Sequence, residues 1–357
     1  MKKIIALILA LVMCMSLVAC GSDKPADKTE DKPADDGKVY ELSLSLHDPV
    51  TSNNGKFYQN WADEIAKATN GRVKITLYGS GTLAAGPDVA DMVEGGGADM
   101  GWIFTGFYAN QYPLTEVVTL VLEGFENCEA TTNAMWDLYE STPAMQAEWE
   151  EFQLLTLYSN PANLIMSKDK PIESMADMTA RSIRSPAGPI ATAVSTWGAS
   201  PIMMAPGDIY QALEKNNISA VIWETAGVCN FTLQEQLKYY TRMPLFQGVF
   251  ALVMNKDKFN SLPTDLQDAI MEVSGRAGSI AAAIDFDNAA VAAEKTITEA
   301  GGTFVEISDA AKAEFAAAIV GQSEEWAKGK TTADFDGMAF LEKARELVAK
   351  YNKEIVG

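Results

Sequence analysis

The 357-residue chain is poor in histidine, cysteine and positive charge: it has one histidine, His47, four cysteines, and 28 Lys+Arg against 48 Asp+Glu, for a net charge of −20. A lone histidine excludes His-rich zinc sites, HExxH metalloprotease motifs and paired-histidine acid–base chemistry, while leaving a Ser-His-Asp triad open. The shortage of Lys and Arg argues against a nucleic-acid partner, whose phosphates take most of their binding energy from those residues. Neither a Gly-x-x-x-x-Gly-Lys-Ser/Thr phosphate loop nor a Gly-x-Ser-x-Gly nucleophile elbow occurs. Gly79, Gly81 and Gly86 do not form a dinucleotide fingerprint, because the third glycine is misplaced. What is present is 48% apolar residues with 21% charged ones. That suffices for a substantial core, in a chain long enough for two domains of roughly 150 residues each.

The N-terminus sets the compartment. Lys2 and Lys3 precede an apolar run from Ile4 to Val18, the layout of a secretory signal and shorter than the roughly 20 residues of a membrane helix. Leu17-Val18-Ala19-Cys20, followed by Gly21-Ser22, resembles a bacterial lipobox. Cleavage after residue 19 would leave a lipidated Cys20; the alternative is an ordinary signal peptide with an incidental cysteine. Residues 20–38 then read as a tether: Asp-Lys-Pro-Ala-Asp occurs twice and no Val, Leu or Ile is present within them. Two acyl chains anchor a protein durably, and the acidic body stays soluble beside the membrane.

The folded part starts with alternation. Tyr40–His47 has the period of a strand, Phe57, Trp61, Ile65 and Ala68 share one helical face ended by Asn70-Gly71, and Val73–Leu77 alternates again. Strand, helix, strand at these lengths predicts a βαβ unit, hence an α/β fold with a parallel sheet. A short helix over Val89–Val93 stops at Gly95-Gly96-Gly97, and Met100–Phe104 is an apolar strand. A second α/β set begins near residue 152, with strands at Leu154–Tyr158, Leu164–Met166, Ser182–Arg184 and Ala220–Trp223 and helices through Trp197 and over Ile209–Leu213. Phe250–Met254 returns to the first set. Asp265–Ala300 lacks proline and is rich in alanine. It reads as one helix of roughly 54 Å crossing both domains, or as two helices with a bend at Gly275 or Gly278.

Cys14 leaves with the signal and Cys20 takes the lipid, so Cys128 and Cys229 remain, without metal-ligand spacing. An extracytoplasmic compartment permits a disulfide between them; two free thiols are the alternative.

Several of these segments together resemble TRAP-transporter solute-binding proteins of the DctP type. Trp61–Leu83 is similar to that family's first βαβ unit, with Trp-Ala-Asp-Glu-Ile and Gly79-Ser-Gly81-Thr-Leu83 in place. Lys170-Pro171-Ile172 and Met178-Thr-Ala-Arg-Ser-Ile-Arg184-Ser-Pro match the strand that bears its ligand-binding arginine. Gly198-Ala-Ser-Pro201, Gly207-Asp-Ile-Tyr210 and Val253-Met-Asn255 through Leu262-Pro263 continue the match. The resemblance implies a two-lobed periplasmic-binding-protein-like α/β fold with a central cleft, crossing strands and a long helix spanning both lobes. Lobe I would take 40–160 and about 248–288; lobe II would take 161–247 and about 289–357. It further implies a monomeric, non-enzymatic receptor with no cofactor, which captures an organic carboxylate for a sodium-driven membrane permease.

On this reading Arg184 grips the carboxylate through two parallel hydrogen bonds, beside a helix start that also favours an anion. His47 at the end of the first strand, Trp102, Phe104 and Thr105 after Asp99, and Trp223 with Glu224 would line the site; for His47 the alternative is a satisfied loop histidine. Asn163 stands where dicarboxylate- and sialate-binding members often have a second arginine, and Phe104 near where some have an acidic contact. One arginine with an asparagine and aromatics predicts an aromatic, branched or 2-oxo monocarboxylate. The competing readings are a C4-dicarboxylate or sugar-acid binder of the same family, an ABC-type binding lipoprotein, or a lipoprotein hydrolase using Glu224 or Asp88.

Overall fold

The computed structural model describes residues 37–108 and 110–357; the signal segment and Cys20 lie outside the described residues. Among the described residues, eleven strands make two mixed sheets. In chain order they are β1 (Tyr40–Ser45), β2 (Val73–Tyr78), β3 (Met100–Phe104), β4 (Phe152–Ser159), β5 (Leu164–Ser167), β6 (Ser182–Arg184), β7 (Ser200–Ile202), β8 (Ala220–Trp223), β9 (Tyr239–Thr241), β10 (Val249–Asn255) and β11 (Thr303–Val305).

The first sheet has the order β2-β1-β3-β10-β4 and the second β11-β9-β5-β8-β6-β7. β1 runs parallel to both β2 and β3, as the βαβ reading expects. The sheets are mixed rather than wholly parallel, because β10 enters antiparallel to β3 and β4, and β5 antiparallel to β8 and β9. In each sheet the parallel strands end toward the same side: β1 runs into His47-Asp48 and β3 into Phe104, while β6 ends at Arg184 and β8 at Trp223. That is where α/β sheets place their ligands.

The connecting helix Asn53–Ala68 starts at Ser52, whose hydroxyl accepts from the Gly55 N–H. The loop before it folds back so tightly that a Cβ on Gly55 would lie 2.5 Å from the Val50 carbonyl oxygen; this fold places Asp48 against Asn54. The buried face is Tyr58, Trp61, Ala62 and Ile65 rather than the expected Phe57-to-Ala68 stripe, in which Phe57 is only half-buried and Ala68 is exposed. Two short segments carry the chain between the sheets, β4 to β5 and β9 to β10. They run side by side: Asn163 N–H donates to Phe246 O, Leu245 N–H to Asn163 O and Asn160 N–H to Gly248 O.

The expected 36-residue helix is broken in two, Thr264–Glu272 and Gly275–Glu299. Gly275 has φ +59°, a conformation that favours glycine, so the turn falls at one of the two suspected positions. The second helix, 25 residues and roughly 37 Å long, still spans both sheets. Ala282, Ala283 and Phe286 pack with Leu44, Trp102 and Leu252, whereas Ile297 packs with Met166, Val221 and Tyr240. The Ser279 hydroxyl fixes it by accepting from the Leu157 N–H at 2.8 Å. The C-terminal segment departs from the expected grouping. Ala327, Phe340, Leu341, Ala344 and Val348 share a core with Trp136, Leu157 and Val253, which puts them on the first sheet rather than with the second.

Candidate ligand-binding site

A cavity lined by residues of both sheets lies between them. The Arg184 side chain, 4% exposed, belongs to its wall. One guanidinium nitrogen, Nη1, donates to Ile222 O at 3.3 Å, Nε has no partner, and the group lies 4.7 Å over the Trp223 ring. Among the described residues no carboxylate comes within 4.0 Å of it. Burial pulls its pKa down to about 10, so it stays charged at neutral pH. A buried charge without a counter-ion is expensive, and an anionic ligand is what removes that expense. The helix expected beside it begins only at Pro189, with Gly188 as its cap, so the local anion-binding capacity rests on the side chain itself.

Opposite stands an aromatic wall. β3 alternates so that Trp102 and Phe104 face the cavity while Ile103 enters the other core. The His47 ring stacks on Trp102 at 4.3 Å and 8°, Phe250 stacks on Trp102 at 4.7 Å, and Phe104 on Phe250 at 4.9 Å. Trp102 is pinned from behind by its Nε1–H donating to the Tyr158 hydroxyl at 2.8 Å. Phe250 and Phe104 are direct partners in the β10–β3 register.

The polar groups follow. Asn163 Nδ2 is committed to Phe246 O at 3.2 Å and to Asn160 Oδ1 at 3.4 Å. Glu224 caps the short helix Thr225–Asn230, both its oxygens accepting from the Gly227 N–H at 2.8 Å. Burial raises its pKa to about 8, against the pull of that hydrogen bond. Asp48 is raised too, again by burial, and His47 is lowered by burial. The His47–Asp48 approach of 3.9 Å is therefore a contact between two groups that both disfavour their charged forms.

These shifts have a testable sign. Glu224 holds its proton more tightly folded than unfolded, so its stabilising contribution is complete below its ordinary value of 4.5 and is lost as pH rises through about 8. His47 acts in the opposite sense below 6.5, so the informative window lies above that. Between pH 6.5 and roughly 9 the melting temperature should fall more steeply for the wild type than for Glu224→Gln; superimposable slopes would show Glu224 already ionised in the fold.

Seven of the eight expected ligand contacts, Arg184, Asn163, His47, Trp102, Phe104, Trp223 and Glu224, line this cavity. Thr105 does not. The chain leaves β3 into a 3-10 turn at Thr105, which turns its hydroxyl toward Val249 O at 3.4 Å. Asp88, the other acid of the hydrolase reading, is exposed and off the cavity wall. The sequence reading missed Asp48, Asn54, Asn160, Phe107, Phe250 and Phe286, which also contribute to the wall. Cys128 and Cys229 are free thiols, pushed up by burial, Cys229 to about 11.

Two lobes closing on an interlobe cavity with a buried arginine define a receptor of the periplasmic-binding type. The family model DctP, bacterial extracellular solute-binding protein family 7, matches residues 45–329, and the chain belongs to that family, the TRAP solute-binding proteins. A TRAP solute-binding protein of Rhodoferax ferrireducens T118, in complex with copurified benzoate, is 25% identical and superimposes with a TM-score of 0.84 over 88% of this chain and 99% of that one. A marine-metagenome TRAP protein specific for aromatic acid ligands, co-crystallised with 3-hydroxybenzoate, is 26% identical with a TM-score of 0.83 over 88% and 99%. The monocarboxylate 2-oxoacid-binding periplasmic protein of Nostoc sp. is 26% identical over 217 residues, 58% of this chain and 57% of that protein. The protein is thus an extracytoplasmic solute-binding protein. No helix among the described residues is long and apolar enough to cross a membrane.

Proposed function

We propose that this chain captures a monocarboxylate with a flat aromatic or 2-oxo body and hands it, without turnover, to the membrane subunits of a sodium-driven TRAP permease. The observation that carries the reading is Arg184: a buried guanidinium with an unpartnered Nε, on a cavity rich in aromatic rings. It is the only lysine or arginine among the described residues of that wall, so a second carboxylate would be buried without a counter-ion. That favours a monoacid over a C4-dicarboxylate. The ligand touches both lobes and selects the closed arrangement, which is how it signals occupancy to the permease. A lipid on Cys20 and the acidic tether behind it keep the monomeric receptor at the membrane surface.

A thermal-shift panel of mono- and dicarboxylic acids tests this. A ligand at about 100 times its Kd adds about 2.7 kcal/mol, a rise of several degrees for a protein of this size. The expected result is a shift with aromatic or 2-oxo monoacids that is absent in Arg184→Ala. Shifts from dicarboxylates alone would overturn the monoacid assignment.

A further inference from the structure

The carboxylate clamp leaves the acids of the cavity unused. Asp48 and Glu224, 6% and 2% exposed, line the same cavity as Arg184. One sits on the loop after β1 and the other at the end of β8, so each lobe supplies one. Neither makes an ion pair with lysine or arginine among the described residues. Asp48 accepts from Asn54 Nδ2 at 3.3 Å and Glu224 from the Gly227 N–H, and a carboxyl group has more lone-pair sites than these bonds use. Beside them His47, on the same wall, has a buried Nδ1 with no partner. Two carboxyl groups buried among rings are costlier than apolar side chains of equal size unless something completes their hydrogen bonds.

We propose that the ligand carries a hydroxyl group as well as its carboxylate, the carboxylate held by Arg184 and the hydroxyl bridging Asp48 and Glu224. The inference rests on the carboxylate reading above. Burial holds both acids toward the protonated form, in which each can donate through O–H and accept through C=O. A hydroxyl does both in return. An oxo group only accepts, and an ammonium only donates while adding a positive charge to a cavity that already holds Arg184. With Arg184 and the ligand carboxylate balancing each other, a hydroxyl adds no charge beside two acids that burial already pushes toward the neutral form. Because the pair comes from both lobes, the hydroxyl also ties closure to the correct ligand.

Matched acids separate the possibilities by calorimetry on the purified protein. One set is 3-phenylpropionate with hydrogen, hydroxyl, oxo or ammonium at C2; another is benzoate against its ring-hydroxylated forms. The expected result is that, on at least one skeleton, the hydroxylated acid binds about tenfold or more tightly than its deoxy twin, or about 1.4 kcal/mol. That ratio should fall toward one in Asp48→Ala and in Glu224→Ala. Equal affinities within every pair, or an oxo or ammonium acid that binds best, would overturn the inference while leaving the carboxylate clamp standing. The wild-type ratio decides this even if a variant fails to fold. No binding by any acid, or binding indifferent to Arg184→Ala, would overturn the carboxylate reading and this inference with it.

Discussion

Arg184→Ala should weaken ligand binding by about 2–5 kcal/mol, the range for leaving one member of a buried charge pair unpaired. In affinity this is roughly thirtyfold to several thousandfold. The ligand-free variant should behave differently: it should be at least as stable as the wild type, because the guanidinium it loses is buried with a single hydrogen bond at 3.3 Å and no counter-ion. This split between binding and stability is what distinguishes a ligand clamp from a structural arginine. Titration calorimetry and urea unfolding measure the two halves. An Arg184→Ala protein that binds normally but unfolds more easily would reverse the assignment. Arg184→Lys should fall between, since it keeps the charge but loses the planar fork.

The second large effect is expected at Trp102. It is 1% exposed, stacks on His47 and on Phe250, and donates its indole N–H to Tyr158. Trp102→Ala would remove the middle of that stack, take one of two donors from the Tyr158 hydroxyl and open a void next to the ligand space. The loss of stability should be about 3–5 kcal/mol, read from urea unfolding, with aromatic acids losing affinity as well. A loss under about 1 kcal/mol would mean that the wall collapses to fill the space. The rings would then not form the fixed surface argued for here.

Much of the architecture is legible in the sequence because it is local. β1, β3, β6, β8 and β10 show as alternating or apolar runs between turn residues, and the chain follows them closely. The long helix was harder, since alanine-rich composition signals helix on both sides of Gly275 and only the positive φ there decides the break. The C-terminal helix Gly337–Tyr351 places Phe340, Leu341, Ala344 and Val348 on one face. Which sheet that face covers depends on tertiary packing that no local pattern encodes.

The site divides in the same way. Arg181 and Arg184 are alike in composition and spacing, yet Arg181 pairs with Asp169 near the surface and Arg184 is buried without an anion. Only the resemblance to a family singled out Arg184. Phe250 sits beside Phe104 because of strand register, and Asp48 shares a cavity with Glu224 because two sheets face each other. Such juxtapositions arise from pairing across long stretches of chain. Thr105 lies off the wall for a local reason: the strand ends one residue before it, and its hydroxyl turns to Val249 O.

The most direct measurement is a crystal structure of the protein with the tightest-binding acid from the panel. The account predicts the ligand carboxylate at about 2.7–2.9 Å from two Arg184 nitrogens, with the ligand body lying between Trp223 and the Trp102–Phe250 stack. A carboxylate bound elsewhere, with Arg184 still lacking an anion, would contradict it.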